Sequence, residues 1–196
     1  MAETLRIFVS ATNDLESERA IIGKALADLP IQIRAEIRRT PASGGRYDDI
    51  YELIANVDRH YFLLGRDITA PAGAEWDLAW QLERSVLPLY SGARLSPAAR
   101  EFKHNSFIKW QEFHSPPHLA SIVTLDLIKR LNNAKNRYGL TVVEMETLRV
   151  HGERLQKKAA AEANSIVALP GGAEGGGVLL DNLRQDPIDA VLVNPD

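Results

Sequence analysis

The 196-residue sequence contains no cysteine, which excludes several kinds of chemistry at once. Disulfide bonds, thiolate nucleophiles and cysteine-ligated zinc or iron–sulfur centres all need that side chain. Long apolar runs are missing too, since none approaches the ~20 residues of a membrane-spanning helix. Neither sign of charge dominates, because the formal net charge is only −3. We therefore expect neither nucleic acid nor a membrane among the partners.

Several short signatures of functional sites are missing as well. No G-x-G-x-x-G follows the first predicted strand, and no G-x-S-x-G elbow occurs. The run LPGGAEGGG lacks the Lys-Ser/Thr ending of a phosphate-binding loop, so we interpret it as a linker. His114 and His118 are close in sequence, but two prolines separate them and no acidic residue adjoins either. We therefore predict no metal site and no required cofactor.

The amino-terminal stretch MAETLRIFVS shows no feature of a secretory leader. It passes into a predicted strand almost at once, whereas a leader carries a longer apolar segment after its charged start. Together with the absence of cysteine, this start predicts a cytoplasmic protein.

Strand and helix patterns alternate along the first two thirds of the chain. Apolar runs of strand length are separated by amphipathic helical patterns with short connections. This order predicts a parallel sheet with helices on both of its faces. The second segment alternates apolar and polar residues, which suits a half-exposed edge strand. The predicted strands cover residues 5–10, 31–37, 59–65, 86–90 and 109–113.

The last third of the chain has a different character. Thr141 and Glu144 have the spacing of a capping box at the start of a helix over residues 141–166. Its apolar stripe is thin, which suits either packing against a partner or a helix that leans on its own domain. We predict an α/β domain at residues 1–135, a helical extension at 136–168 and a Gly-rich linker and tail at 169–196. The tail forms either a terminal hairpin or the start of a further region.

Glu75 is the main candidate for chemistry. It is predicted in the first turn of a helix, after a loop broken by Pro71 and Gly73. In a parallel α/β sheet the ligand crevice lies at the carboxyl ends of the strands, beside such a turn. A carboxylate there either stabilises or attacks positive charge that develops on a sugar ring, or it only opposes the helix dipole.

Polar residues in the loops after the other strands would line the same crevice. The loop after the second strand is rich in arginine and glycine, so it either holds a phosphate or pyrophosphate or is a solvated charged loop. Trp76 either stacks on a base or packs in the core. The candidate nucleotide-binding residues are Ser10, Thr12, Arg39, Ser43, Gly65, Arg66 and Trp76.

The opening segment RIFVSATNDLESERAIIGKAL resembles the start of a family of bacterial domains of unknown function with a TIR-like fold. Chains of that family begin with a strand ending FVSST, followed by DL and ER. Two later segments, YFLLG and WQEFHSPPHL, are also similar to the family, and the resemblance covers roughly residues 5–133. The opening residues that match are Phe8, Val9, Ser10, Thr12, Asp14, Leu15, Glu18 and Arg19.

The resemblance implies a flavodoxin-like fold and two alternative functions. Some TIR domains cleave the nicotinamide–ribose bond of NAD with a Glu near the position of Glu75, and nucleoside deoxyribosyltransferases look similar there. Others are adapters that act through contacts between copies. The first alternative is a nucleotide-binding effector that has NAD as its substrate and Glu75 as its catalytic residue. The second is a non-catalytic module that self-associates within a larger signalling or defence protein.

Overall fold

The structure, a computed structural model, describes residues 2–41 and 43–167, with side chains described to residue 161. The predicted linker and tail at residues 169–196 lie outside the described residues, and so does the hairpin considered there. No described helix is both long and apolar enough to cross a membrane.

The described part of the chain forms a sheet of five parallel strands: β1 (Leu5–Ala11), β2 (Ala35–Arg38), β3 (Arg59–Leu64), β4 (Val86–Tyr90) and β5 (Gln111–Glu112). Their order across the sheet is β2-β1-β3-β4-β5. This confirms the predicted doubly wound, flavodoxin-like architecture and places the alternating second segment at an edge. The central strand β3 is buried along its whole length, as its continuous apolar run predicts.

Helices follow the strands, and several begin at side-chain caps, one of which is the capping box that the sequence predicts. Ser96 accepts the Ala99 amide at 3.0 Å. Thr141 and Glu144 cap each other's amides, at 3.2 and 2.8 Å, which completes the predicted capping box. The helices are α1 (Glu16–Ala27), α2 (Tyr47–Ala55), α3 (Ala70–Gln81), α4 (Pro97–Asn105), α5 (Pro116–Leu131) and α6 (Val142–Val167).

Alternate residues of β1 face opposite sides of the sheet and explain the two helical layers. Ile7 and Val9 belong to the larger core cluster, which includes residues of α1 and α5. Phe8 belongs to a second cluster with Ile54 of α2 and Leu78 of α3. Because successive side chains of a strand point to opposite faces, one short apolar strand is enough to anchor both layers.

The segment after residue 135 is tied to the α/β domain. Leu140 and Leu148 are buried in the same cluster as β1. The amide of Glu3 donates to the carbonyl of Arg137 at 3.0 Å, and the Arg137 guanidinium returns a bond to the Glu3 carboxylate at 2.6 Å. The helical extension therefore contributes to the core at the amino end of the sheet.

Several element boundaries differ from the predicted ones, and the largest differences are at the starts of β2 and α3. The second strand begins at Ala35 instead of residue 31, because β1 begins at Leu5 and Leu5 pairs with Ala35. Helix α3 begins at Ala70, so Pro71 and Gly73 lie inside it and not in a preceding loop. A proline in the first turn is compatible with a helix, since its missing N–H would have no intrahelical partner there.

Candidate functional site

A hydrogen-bond network joins the carboxyl ends of β1 and β3. The amide of Gly65 donates to Thr12 Oγ1 at 2.9 Å, and the Thr12 hydroxyl donates to Asp14 Oδ1 at 2.6 Å. The other oxygen of Asp14 accepts the Arg66 amide at 2.8 Å. Thr12 is fully buried. The structure thus brings Thr12 and Gly65 together, but they bond to each other across the ends of β1 and β3.

The Asp14 carboxylate occupies the space that a side chain at position 65 would need. A Cβ at Gly65 would lie only 2.1–2.2 Å from the two carboxylate oxygens. Burial raises the pKa of the Asp14 carboxyl, but the hydrogen bonds from Thr12 and the Arg66 amide outweigh this effect and hold the pKa below its ordinary value. Asp14 is therefore an ionised anchor for the loop.

Ser10 is fully buried on the face of the sheet that α3 covers. Its hydroxyl lies 2.7 Å from Nε2 of His60, whose ring meets Phe8 edge-on at a centroid distance of 5.2 Å. Burial, and to a smaller extent the charge of Arg59, lowers the pKa of His60 to about 3, so the ring is neutral. Ser10 is thus part of a closed interior and exposes no atom at the edge.

Glu75 lies in the second turn of α3, not in the first turn as expected, because the helix begins at Ala70. Its side chain is only 5% exposed. The hydroxyl of Thr40, just after β2, donates a hydrogen bond to Glu75 Oε1. The helix dipole acts within the first turn, so this position gives little support to the interpretation of Glu75 as a dipole partner.

The charge balance at Glu75 is unusual for a buried carboxylate. Among the residues that the structure describes, Thr40 is its hydrogen-bond partner and no cation forms an ion pair with it. A buried polar side chain in a folded protein is normally hydrogen-bonded, and here a single neutral hydroxyl provides that bond.

The exposed candidates lie at the rim of the same edge. Arg39 follows β2, and its side chain is 62% exposed while it pairs with Glu16 at 3.2 Å. Ser43 is exposed in the loop between β2 and α2. Arg66 is exposed after β3, with its carbonyl held by the Ser96 amide at 2.8 Å. Arg39 and Arg66 therefore present cationic side chains to solvent near the end of the sheet where Thr40 meets Glu75.

Trp76 packs in an aromatic cluster beneath α3. Its ring is stacked on Trp110 at 5.5 Å and meets the edge of Phe62 at 4.9 Å. The residue is 7% exposed. The structure places it in the interior, which is the core alternative, and leaves little of the ring for contact with a base.

Two residues of this region were not singled out from the sequence. His60 is a polar residue inside a buried apolar run, and that contrast is a signal that the sequence carries. Thr40 gives no such signal, because its pairing with Glu75 spans 35 positions and depends on the folded chain. Among the described residues, no group of three or more histidine and acidic side chains is arranged to hold a metal ion.

The architecture and the buried carboxylate define the class of this chain as a flavodoxin-like α/β domain with an acidic residue beneath the carboxyl edge of its sheet. Comparison with protein-family models, with curated proteins and with solved structures found no match to this chain. The functional assignment therefore depends on the residues themselves.

Proposed function

We propose that this chain is a TIR-like effector domain that binds a nucleotide and hydrolyses the N-glycosidic bond of NAD, with Glu75 as the catalytic carboxylate. The observation that carries the proposal is the buried Glu75 side chain, which has a neutral hydroxyl as its partner and, within the described part of the chain, no ion pair with a cation. A carboxyl group with no cation beside it has an oxygen that can face a positive centre as it develops in a substrate.

The proposed reaction breaks the bond between nicotinamide and the ribose. The bonding electron pair leaves with nicotinamide, and the ribosyl carbon develops positive charge that Glu75 either stabilises or attacks. Water then adds to that carbon, giving ADP-ribose and releasing one proton. Because Glu75 is only 5% exposed, the bound nucleotide must displace the Thr40 hydroxyl to reach it.

The exposed arginines at the rim suit the pyrophosphate. Arg39 and Arg66 offer guanidinium groups, which bind phosphate oxygens in pairs, and Ser43 offers a hydroxyl nearby along the chain. Thr12 and Gly65 act through the network that fixes the strand ends, and Ser10 acts through its contact with His60 in the interior. In this proposal the exposed residues contact the pyrophosphate, and the buried residues hold the strand ends in position.

The test is nicotinamide release from NAD and NADP by the purified chain, at low and high protein concentration. Glu75→Gln keeps the shape of the side chain and removes its charge, while Glu52→Gln removes an exposed carboxylate of α2 as a matched control. We expect release by the wild type and by Glu52→Gln, and none by Glu75→Gln. Absence of release at every concentration would reject the catalytic proposal.

A second candidate function is self-association without catalysis, and one observation favours it. Val142 and Val143 at the start of α6 are 83% and 75% exposed. Together with Pro30 and Val150 they line an apolar groove of about 500 Å³. Exposed apolar patches of this kind are typical of protein contact sites.

Light scattering tests this second candidate function. A Val142→Ser, Val143→Ser double variant should show a lower mass than wild type, whereas Phe107→Ser, which alters another exposed apolar residue, should not.

A further inference from the structure

A cavity of about 350 Å³ opens at the end of the sheet opposite to Glu75. It lies where β3 begins, beside the last turn of α5 and the turn that precedes α6. Four cationic side chains and a single carboxylate line it: Arg59, Lys129, Arg130, Arg137 and Asp126.

The carboxylate of Asp126 inside the cavity already forms an ion pair with Arg59. Arg59 donates to both oxygens of Asp126, from Nε at 2.9 Å and from Nη2 at 2.6 Å. The hydroxyl of Tyr61 adds a third bond to Asp126 at 2.9 Å. Such a bidentate pair satisfies both partners. Asp126 therefore neutralises Arg59, and its oxygens have few free acceptor positions for a second guanidinium.

Arg130 is held mainly by neutral acceptors. Its Nη1 donates to the carbonyl of Asp58 at 3.1 Å, and its Nη2 donates to the hydroxyl of Ser85. Its Nε lies 3.6 Å from Asp126 and has no hydrogen-bond partner in the described part of the chain. Burial and the charge of Arg59 lower the pKa of Arg130 from its ordinary value. The positive charge of Arg130 is therefore only partly compensated.

The mouth of the cavity adds a further cation. Lys129 is exposed, and within residues 2–41 and 43–167 no ion pair or hydrogen bond engages it. Arg137 is different, because it pairs with Glu3 at 2.6 Å and with Asp58 at 3.1 Å. Counting the carboxylates of Asp126, Glu3 and Asp58 against the four cations leaves the group with one positive charge in excess, because Lys129 has no carboxylate partner and Arg130 shares Asp126 with Arg59.

We propose that this cavity binds a small phosphorylated molecule, with Lys129 and Arg130 contacting the phosphate. A guanidinium and an ammonium group are the usual phosphate ligands among side chains. The remaining lining residues, Asn133 and Tyr138, add an amide and a phenol that suit a polar organic group. The volume falls in the lower part of the ~300–1,000 Å³ range of small-molecule sites, so the phosphate carries a short substituent.

The test is calorimetric titration of the full chain with glycerol 3-phosphate at low ionic strength. Lys129→Gln removes an exposed charge that the fold does not use, and Lys157→Gln removes an exposed charge on α6 that does not line the cavity. We expect Lys129→Gln and Arg130→Gln to weaken binding by about tenfold or more, as loss of one charged phosphate contact does. Lys157→Gln and Glu75→Gln should bind like wild type.

Two outcomes would overturn the proposal. One is the absence of measurable binding to wild type. The other is equal weakening in Lys129→Gln and Lys157→Gln, which would mean that the ligand responds only to overall charge. Circular dichroism of Arg130→Gln separates unfolding from lost contact, and the Lys129→Gln result decides the matter if Arg130→Gln is unfolded. Since the unchanged binding expected of Glu75→Gln does not depend on NAD cleavage, the two proposals are tested separately.

Discussion

The Thr40 hydroxyl donates its hydrogen bond to the Glu75 carboxylate and so joins the end of β2 to the second turn of α3. We expect Thr40→Val, which keeps the shape and removes the hydroxyl, to reduce the free energy of unfolding by about 1–3 kcal/mol. The physical reason is that a buried carboxylate loses its donor. Urea denaturation measures the change, and Thr40→Ser should restore most of it. Equal stability of Thr40→Val and wild type would contradict this account.

The buried His60 makes stability depend on pH. Its pKa is about 3 in the folded chain and about 6.5 in the unfolded chain, so below pH 6.5 the unfolded state binds a proton that the folded state does not. The free energy of unfolding should therefore fall as the pH drops from 6.5 toward 3, by a few kcal/mol, roughly, over the whole window.

His60→Gln is the variant that tests this pH dependence. Glutamine keeps a polar end near Ser10 but does not titrate, so the slope of stability against pH between 4 and 6.5 should be smaller than in wild type. His104→Gln removes an exposed histidine and should leave the slope unchanged. Parallel curves for wild type and His60→Gln would show that His60 is not the responsible group.

Gly65 cannot carry a side chain without moving Asp14. Because a Cβ would lie 2.1 Å from the nearer carboxylate oxygen, we expect Gly65→Ala to destabilise the fold by about 1–3 kcal/mol. Combining it with Asp14→Ala should cost less than the sum of the two single changes, because the clash disappears. Gly23→Ala serves as the control, since its Cβ would meet Ile37 at an ordinary 3.7 Å. Additive costs in the double variant would disprove the clash.

The Arg59–Asp126 pair is nearly closed to solvent, with side chains 8% and 15% exposed. Asp126→Asn should lower the free energy of unfolding by about 3–5 kcal/mol, because it leaves Arg59 buried without a counter-charge. Replacing Glu36, whose side chain is 48% exposed where it pairs with Arg38, should cost at most about 1 kcal/mol. Thermal or urea denaturation compares the two, and similar costs would mean that burial does not set the strength of these pairs.

The fold could be predicted from the sequence because its signals are local. The continuous apolar run before Gly65 needs no knowledge of its neighbours to be recognised as a buried strand. Likewise, the spacing of Thr141 and Glu144 determines a helix start within four residues. The start of the second strand is not a local property, because it depends on where its neighbour β1 begins. The predicted start is four residues earlier than the observed one at Ala35.

The candidate site was less predictable because burial is decided by packing between distant segments. Ser10 and Glu75 are polar residues that the sequence cannot distinguish from exposed ones, yet both are covered once α3 lies on β1 and β3. Arg39 and Arg66 remain exposed at the edge, as their charge favours. Glu75 lies in the second turn because α3 includes Pro71 in its first turn. Proline is common both in loops and in the first turn of a helix, so the sequence does not distinguish the two.

The contact between Glu3 and Arg137 has a consequence for biosynthesis. The two residues are 134 positions apart, and β1, which is made first, shares its core with Leu148, which is made late. A ribosome must therefore release nearly all of the described chain before the apolar side of β1 is fully covered. During that interval α1 is the first helix available to cover that side, so shortening the chain before Leu148 should lower its yield in cells.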